Sequence, residues 1–157
     1  MRRGQETMFI REMTESECLD LLARTGFGRL ACAHENQPYI VPFYFAYRAG
    51  YIYSFATVGQ KIDWMRGNAL VCVETDAVES SQEWTSVIAF GRYEELPDDS
   101  GSSREREVAQ EALQRRAMWW QPAYVATADG EQAHSRTPVF YRIRIDRITG
   151  HLATRSS

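Results

Sequence analysis

The sequence predicts an α+β protein: an antiparallel barrel of six short strands with two to three peripheral helices. Three observations predict it. Residues 38–76 read in order as strand, tight turn, strand, short helix and strand. Further strand-like runs follow at 85–96 and 139–148, and short strands joined by tight turns favour a barrel over a doubly wound sheet. Neither a G-x-G-x-x-G after a strand nor a G-x-x-x-x-G-K-S/T occurs, so the dinucleotide and P-loop alternatives lose their support.

Each element has its own signal. Thr14 and Glu17 form a T-x-x-E capping box that opens a helix. Cys18, Leu21 and Leu22 recur at helical spacing and give that helix its apolar face, and Gly26 and Gly28 stop it. Phe27 to His34 reads as a first strand, with Glu35-Asn36-Gln37-Pro38 as its turn. Tyr39 to Tyr47 is aromatic and β-branched and reads as the second. Pro42 inside it costs a ladder hydrogen bond, which points to an edge, a bulge, or a place where a ligand takes over the pairing. Arg48-Ala49-Gly50 makes a hairpin turn into the strand Tyr51 to Phe55. A short helix follows Gly59, anchored by Ile62, Met65 and Trp64. Strands at 70–75 and 85–96 flank a polar, loop-like stretch at 76–83. The loop PDDSGSS leads to a helix from Arg104 to Met118, with Val108, Ala112 and Leu113 facing the core. The segment 120–137 has no clear period, and 139–148 alternates as a last strand. Residues 1–150 are expected to form one domain, with 151–157 as a C-terminal tail.

Composition bounds the function. A chain of 157 residues with 44% apolar and 25% charged residues is an ordinary globular domain, long enough to bury a core. A net charge of -3 argues against a general nucleic-acid binder. No apolar run approaches the roughly 20 residues of a membrane span, and the first residues lack the apolar core of a secretory signal. Cys18, Cys32 and Cys72 are odd in number and widely spaced, which fits reduced, packed thiols and a cytoplasmic location. His34, His134 and His151 match no metal-ligand spacing, so no metal site is expected.

The chemically pointed motif is Gly59-Gln60-Lys61. A helix N-terminus carrying a glycine and a lysine just after a hairpin is a seat for a phosphate, because backbone N–H groups and the helix dipole both favour an anion. On its own Lys61 also reads as a solvated helix lysine, Trp84 as packing, and Met118-Trp119-Trp120 as a hydrophobic plug or a buried part of a dimer.

Taken together, the segments TESECLDLLARTGFGRLA, YIVPFYFAY, YIYSFATVGQKIDWMRGNALVCVE, EWTSVIAFGRYEEL and VFYRIRIDRITG resemble the pyridoxamine 5'-phosphate oxidase-related flavoproteins, nearest to the nitroimidazole-resistance-like branch. The resemblance is best from Met13 to Leu96 and rests on the order and spacing of these pieces. It implies an FMN-binding split β-barrel and a homodimer with flavin near the subunit interface. It also implies oxidoreductase chemistry on a small molecule, the alternative being a non-catalytic flavin or haem carrier on the same barrel. By the same resemblance, Val41, Pro42, Phe43 and Tyr44 run beside the flavin ring, and Ser54 and Phe55 face the ribityl chain and phosphate. Gly59, Gln60 and Lys61 hold the phosphate, Trp84 and Ser86 reach the flavin from a later strand, and Trp120 is contributed across a dimer interface. Tyr44, Tyr53 and Ser54 are the candidate polar neighbours of the reacting ring, and no acid–base residue is assigned.

Departures from the family pattern narrow the expectation. The oxidase that makes pyridoxal phosphate carries Arg-x-His near its C-terminus, whereas this chain reads Gly150-His151-Leu152-Ala153-Thr154-Arg155, so that activity is not expected. The nitroimidazole-resistance proteins commonly place a histidine where this chain has Ser54. Gln60 stands in place of a second basic residue, and Arg66 is the nearest arginine that would compensate.

Overall fold

The computed structural model describes residues 7–97, 101, 103–115 and 138–156. The protein is α+β, with eight strands and three helices among the described residues, in the order β1 (Met8–Glu12), α1 (Glu15–Thr25), β2 (Phe27–His34), β3 (Gln37–Tyr44), β4 (Ala46–Arg48), β5 (Tyr51–Ala56), α2 (Gln60–Gly67), β6 (Leu70–Ser80), β7 (Glu83–Leu96), α3 (Ser103–Gln114) and β8 (Val139–Arg155). All strand pairs are antiparallel, in the order β3-β2-β6-β7-β8-β5-β4, with β1 paired to β8.

The two ends of this order, β3 and β4, are joined by the single residue Phe45. One residue spans only a few ångströms, so the sheet must curl until its edges nearly meet. They do not pair, and the barrel stays open along that seam. Phe45 makes the crossing: its N–H donates to Gly26 O at 2.9 Å and its ring is wholly buried. For this reason the stretch 39–47, expected as one strand, is two.

The expected count of six is corrected to eight, and the two additions have separate causes. One comes from that break at Phe45. The other is β1, whose five residues are all exposed and so carry no buried apolar alternation. It is held instead by its ladder to β8, from Met8↔Arg155 to Glu12↔His151. That ladder also makes His151–Arg155 part of β8 rather than a tail. Residues 76–83, expected as a loop, are mostly strand, because β6 and β7 form one long hairpin turning at Ser81 and Gln82. Polar side chains mark its solvent face and do not interrupt the backbone ladder. α3 ends at Gln114; an expected extension to Met118 falls outside the described residues.

The helices close the barrel. In α1 the capping box forms as the sequence predicts: Thr14 Oγ1 accepts from Glu17 N at 3.2 Å, and Thr14 N donates to Glu17 Oε1 at 2.9 Å. Arg11 of β1 donates to the same carboxylate at 2.8 and 3.0 Å and, with the Thr14 amide, holds Glu17 down to about 2. Cys18, Leu21 and Leu22 are fully buried. Gly26 ends the helix at φ 66°, a left-handed position that favours glycine. Gly28 is required for a different reason: a Cβ there would collide with the Glu74 carbonyl of β6. Turns at Glu35-Asn36 and Ala49-Gly50 adopt positive φ, as two-residue hairpins require.

The main core fills the barrel with Leu22, Leu30, Phe45, Ile52, Ile62, Met65, Val73, Tyr141 and Ile143. Beneath α3, Phe55, Phe140 and Leu113 form a second cluster. β8 serves both, because Phe140 and Tyr141 point to opposite faces and each is buried.

Candidate functional site

At the open seam lies a cavity of about 340 Å³ lined by Phe27, Pro42, Phe43, Tyr44, Ser54, Phe55 and Lys61. Its volume is within the usual range of small-molecule sites. β3 is an edge strand, so Pro42 withholds an N–H where a ladder partner is absent on one side. Residues from both faces of this edge, exposed Pro42 and Tyr44 and buried Phe43, line the cavity together. Tyr44 pairs in register with Phe27 across the hairpin, and their rings meet at 5.0 Å as an aromatic wall.

The floor is polar. Ser54 is buried and its Oγ donates to Tyr44 O at 2.8 Å, tying β5 to the end of β3. Beyond it, Tyr141 lies opposite Ser54 in the β5–β8 register. Its hydroxyl is wholly buried without a hydrogen bond to a described residue. Burial pushes the Tyr141 hydroxyl pKa upward; the Ser54 hydroxyl, near but outside bonding geometry, partly offsets this.

α2 supplies the cation. Its N-cap is Gly59, which makes no side-chain cap, and the first helical bond is Asp63 N to Gly59 O at 3.0 Å. The N–H groups of Gln60, Lys61 and Ile62 therefore have no partner within the helix. The contrast with α1, whose capping box answers the same need, is direct. Gly59 itself is extended at φ -172°, and the nearest heavy atom to a Cβ placed there is Thr57 O at 3.9 Å, so its backbone faces open space. Lys61 is partly buried, and among the described residues no carboxylate pairs with it. Burial lowers its pKa, offset in part by the nearby Cys32 thiol. Lys61 is thus a partly buried lysine with no pairing carboxylate among the described residues, one residue into a helix whose first N–H groups have no partner within it.

Six of the expected residues thus meet in one cavity: Pro42, Phe43, Tyr44, Ser54, Phe55 and Lys61. Gly59 and Gln60 stand at the head of α2, and Gln60 is exposed. Val41 points toward the barrel core instead. Trp84 lines a separate depression of about 380 Å³ with Arg24 and Arg155, and Ser86 pairs with Asp76 and His151 on β7. Trp120 lies outside the described residues. Tyr53 faces the α3 cluster rather than the cavity. Arg66 is engaged elsewhere, with Glu95. Phe27 is the lining residue that sequence reasoning missed. Its signal was the hairpin register, since a two-residue turn at Glu35-Asn36 sets Phe27 opposite Tyr44.

Known proteins share this fold. The family model for pyridoxamine 5'-phosphate oxidase matches residues 14–152. An uncharacterized protein of Rhizobium meliloti is 37% identical over 146 residues, covering 93% of this chain and 97% of its own length. The crystal structure of a FAD-binding protein from Mesorhizobium loti superposes with a TM-score of 0.76 at 38% identity, over 94% of this chain and 99% of that one. A FAD-binding protein from Mycobacterium smegmatis shares the fold at a TM-score of 0.64 and 20% identity, over 91% and 98% of the two chains. The chain belongs to the pyridoxamine 5'-phosphate oxidase family.

Proposed function

We propose that this protein binds a flavin, FMN, at the seam cavity and uses it as an oxidoreductase on a small molecule. The observation that carries the reading is Lys61: partly buried, with no carboxylate partner among the described residues, in the first turn of a helix whose N-cap glycine makes no side-chain cap. A phosphomonoester brings nearly two negative charges and acceptor oxygens to such a seat. The site offers one lysine and one helix terminus, which suits the single phosphate of FMN; the Mesorhizobium loti relative is named for FAD. Phe27, Tyr44, Phe43 and Phe55 supply flat apolar walls for an aromatic ring. The bound flavin would supply the hydride and electron chemistry. The protein's own part is to orient it: Lys61 fixes one end, the edge of β3 borders the other, and Ser54 holds the Tyr44 backbone in place.

A carrier without turnover is the second reading. It is favoured by the lining, where the Ser54 hydroxyl is already committed to Tyr44 and, among the described residues, no carboxylate or histidine is present. We further propose a homodimer built on the outer face of the sheet. There the register aligns Ile40, Ala31, Cys72 and Phe90 in one apolar row leading away from the cavity edge. The three unpaired cysteines suit a reducing, cytoplasmic setting.

Release and identification of the chromophore from purified protein tests the cofactor. FMN is expected; FAD would show that the diphosphate finds a second cation. Lys61→Ala is expected to weaken FMN by about 1.5–3 kcal/mol, roughly 10- to 100-fold, and riboflavin far less. Equal weakening of both flavins would remove Lys61 from the phosphate seat. Reduction of the bound flavin by NAD(P)H and reoxidation by a quinone or nitro compound separates the enzyme from the carrier.

A further inference from the structure

We infer that the Arg66–Glu95 ion pair, backed by Tyr93, is the positioning clamp of the phosphate seat: it sets the roll of α2 on the barrel and so aims Lys61, without itself touching the ligand. The inference rests on the phosphate reading of Lys61. α2 has eight residues, too few to be stable or oriented on its own. Its attachments therefore decide where its first turn points.

The apolar attachments are Ile62 and Met65, both fully buried. They fix how deeply the helix sits and which face it turns inward, and directional contacts then set its roll more finely. Directional contacts lie on two sides. On one side Trp64 stacks on His34 at 5.3 Å and meets Tyr39 edge-on at 5.4 Å. On the other, Arg66 Nε donates to Glu95 Oε1 at 2.8 Å and Arg66 Nη2 donates to Glu95 Oε2 at 3.3 Å, a planar two-point fork. Tyr93 Oη donates to the same Glu95 Oε1 at 2.7 Å. At the end of the helix, Asn68 Nδ2 donates to Ala33 O at 3.2 Å.

The fork is the only one of these that joins α2 to β7 through charge. Lys61 and Arg66 are five positions apart, about 140° around the helix axis. The clamp therefore grips a different side of α2 from the one facing the cavity. Turning the helix about its axis would move Lys61 and the free N–H groups together relative to β3 and β5. Glu95 is suited to this task because its carboxylate stays ionised: Arg66 and the Tyr93 hydroxyl hold it below the usual carboxylate range. Tyr93 stays protonated and a donor, since burial and the adjacent Glu95 raise its pKa. The arginine that would have compensated for Gln60 at the phosphate is thus employed as an anchor.

The test compares FMN and riboflavin dissociation constants for the full chain and for Glu95→Gln, Arg66→Lys and Lys61→Ala, with thermal melts of each. Glu95→Gln is expected to weaken FMN by about two- to tenfold, the effect of an ion pair acting at a distance, while riboflavin changes less than about twofold. Arg66→Lys keeps the charge but loses the fork and is expected to fall between wild type and Glu95→Gln. The charge-swapped double variant Arg66→Glu, Glu95→Arg is expected to recover part of the FMN preference, since an arginine at 95 cannot accept from the Tyr93 hydroxyl. Melting temperatures that fall while the FMN-to-riboflavin ratio holds, with Lys61→Ala still altering that ratio, would overturn the clamp and leave the phosphate seat standing. An unchanged ratio in Lys61→Ala would overturn both.

Discussion

Arg29 on β2 reaches two carboxylates of β6 at once, Glu74 at 3.5 Å and Asp76 at 3.4 Å, and one guanidinium cannot satisfy both fully. Burial and the neighbouring Asp76 carboxyl push Glu74 up to about 7, against the pull of Arg29. The register places apolar Ile88 on the other flank of Glu74, so no further cation answers it there. The sign follows from proton linkage. A carboxyl with a raised folded pKa binds its proton more tightly when folded, so its contribution is present below the unfolded pKa and is lost as pH rises through 7. Melting temperature is therefore expected to fall between about pH 5 and pH 8. Glu74→Gln should flatten that fall and match or exceed wild type at the alkaline end. A wild-type melt independent of pH across this window would show that Arg29 neutralises both carboxylates.

At the scale of the element, the strand pair β2–β6 is one of two tight points of the described barrel, the other being β7–β8 at Gly91. Gly28 brings its backbone against the Glu74 carbonyl, where no side chain fits. Gly28→Ala is expected to destabilise the fold by about 1–3 kcal/mol by forcing the strands apart, measured by denaturant unfolding. The same substitution at Gly59 meets open space and serves as the control. Elements carrying a strong local code were legible in the sequence. The α1 cap, its buried triplet Cys18, Leu21 and Leu22, the hairpin turns and the α2 anchors Ile62 and Met65 all stand where the pattern put them. Elements defined by a distant partner were not legible. β1 exists because β8 offers an edge to it, and its own five residues all face solvent. The split at Phe45 depends on Gly26, far upstream in the chain. The site divides in the same way. Pro42 and Lys61 stood out from a strand proline and a helix start, whereas Phe43, Tyr44, Ser54 and Phe55 were placed by the family resemblance. The placement of Trp84 and Ser86 depends on the long β6–β7 hairpin, which polar composition disguised as a loop.

For the whole molecule, the proposed dimer gives a direct expectation. Of the row Ile40, Ala31, Cys72 and Phe90, Ile40 is 62% exposed among the described residues, leaving an apolar patch there. Ala31→Arg is expected to convert a dimer into a monomer in light scattering and, if the flavin sits near the proposed interface, to loosen flavin with it. A wild-type monomer that holds flavin tightly would dispose of the dimer.

The place of β8 has a further consequence, for how the chain is born. Of the described strands it is made last, yet it pairs with β7 along one edge and with β5 and β1 along the other. Before it leaves the ribosome, β3-β2-β6-β7 and β5-β4 are two fragments with no ladder between them. Residues 139–155 join two half-sheets into one, so folding of the whole sheet must wait until they have been made. A nascent chain stalled before Val139 would expose the apolar edges of both fragments together, the state in which such a chain most needs a chaperone.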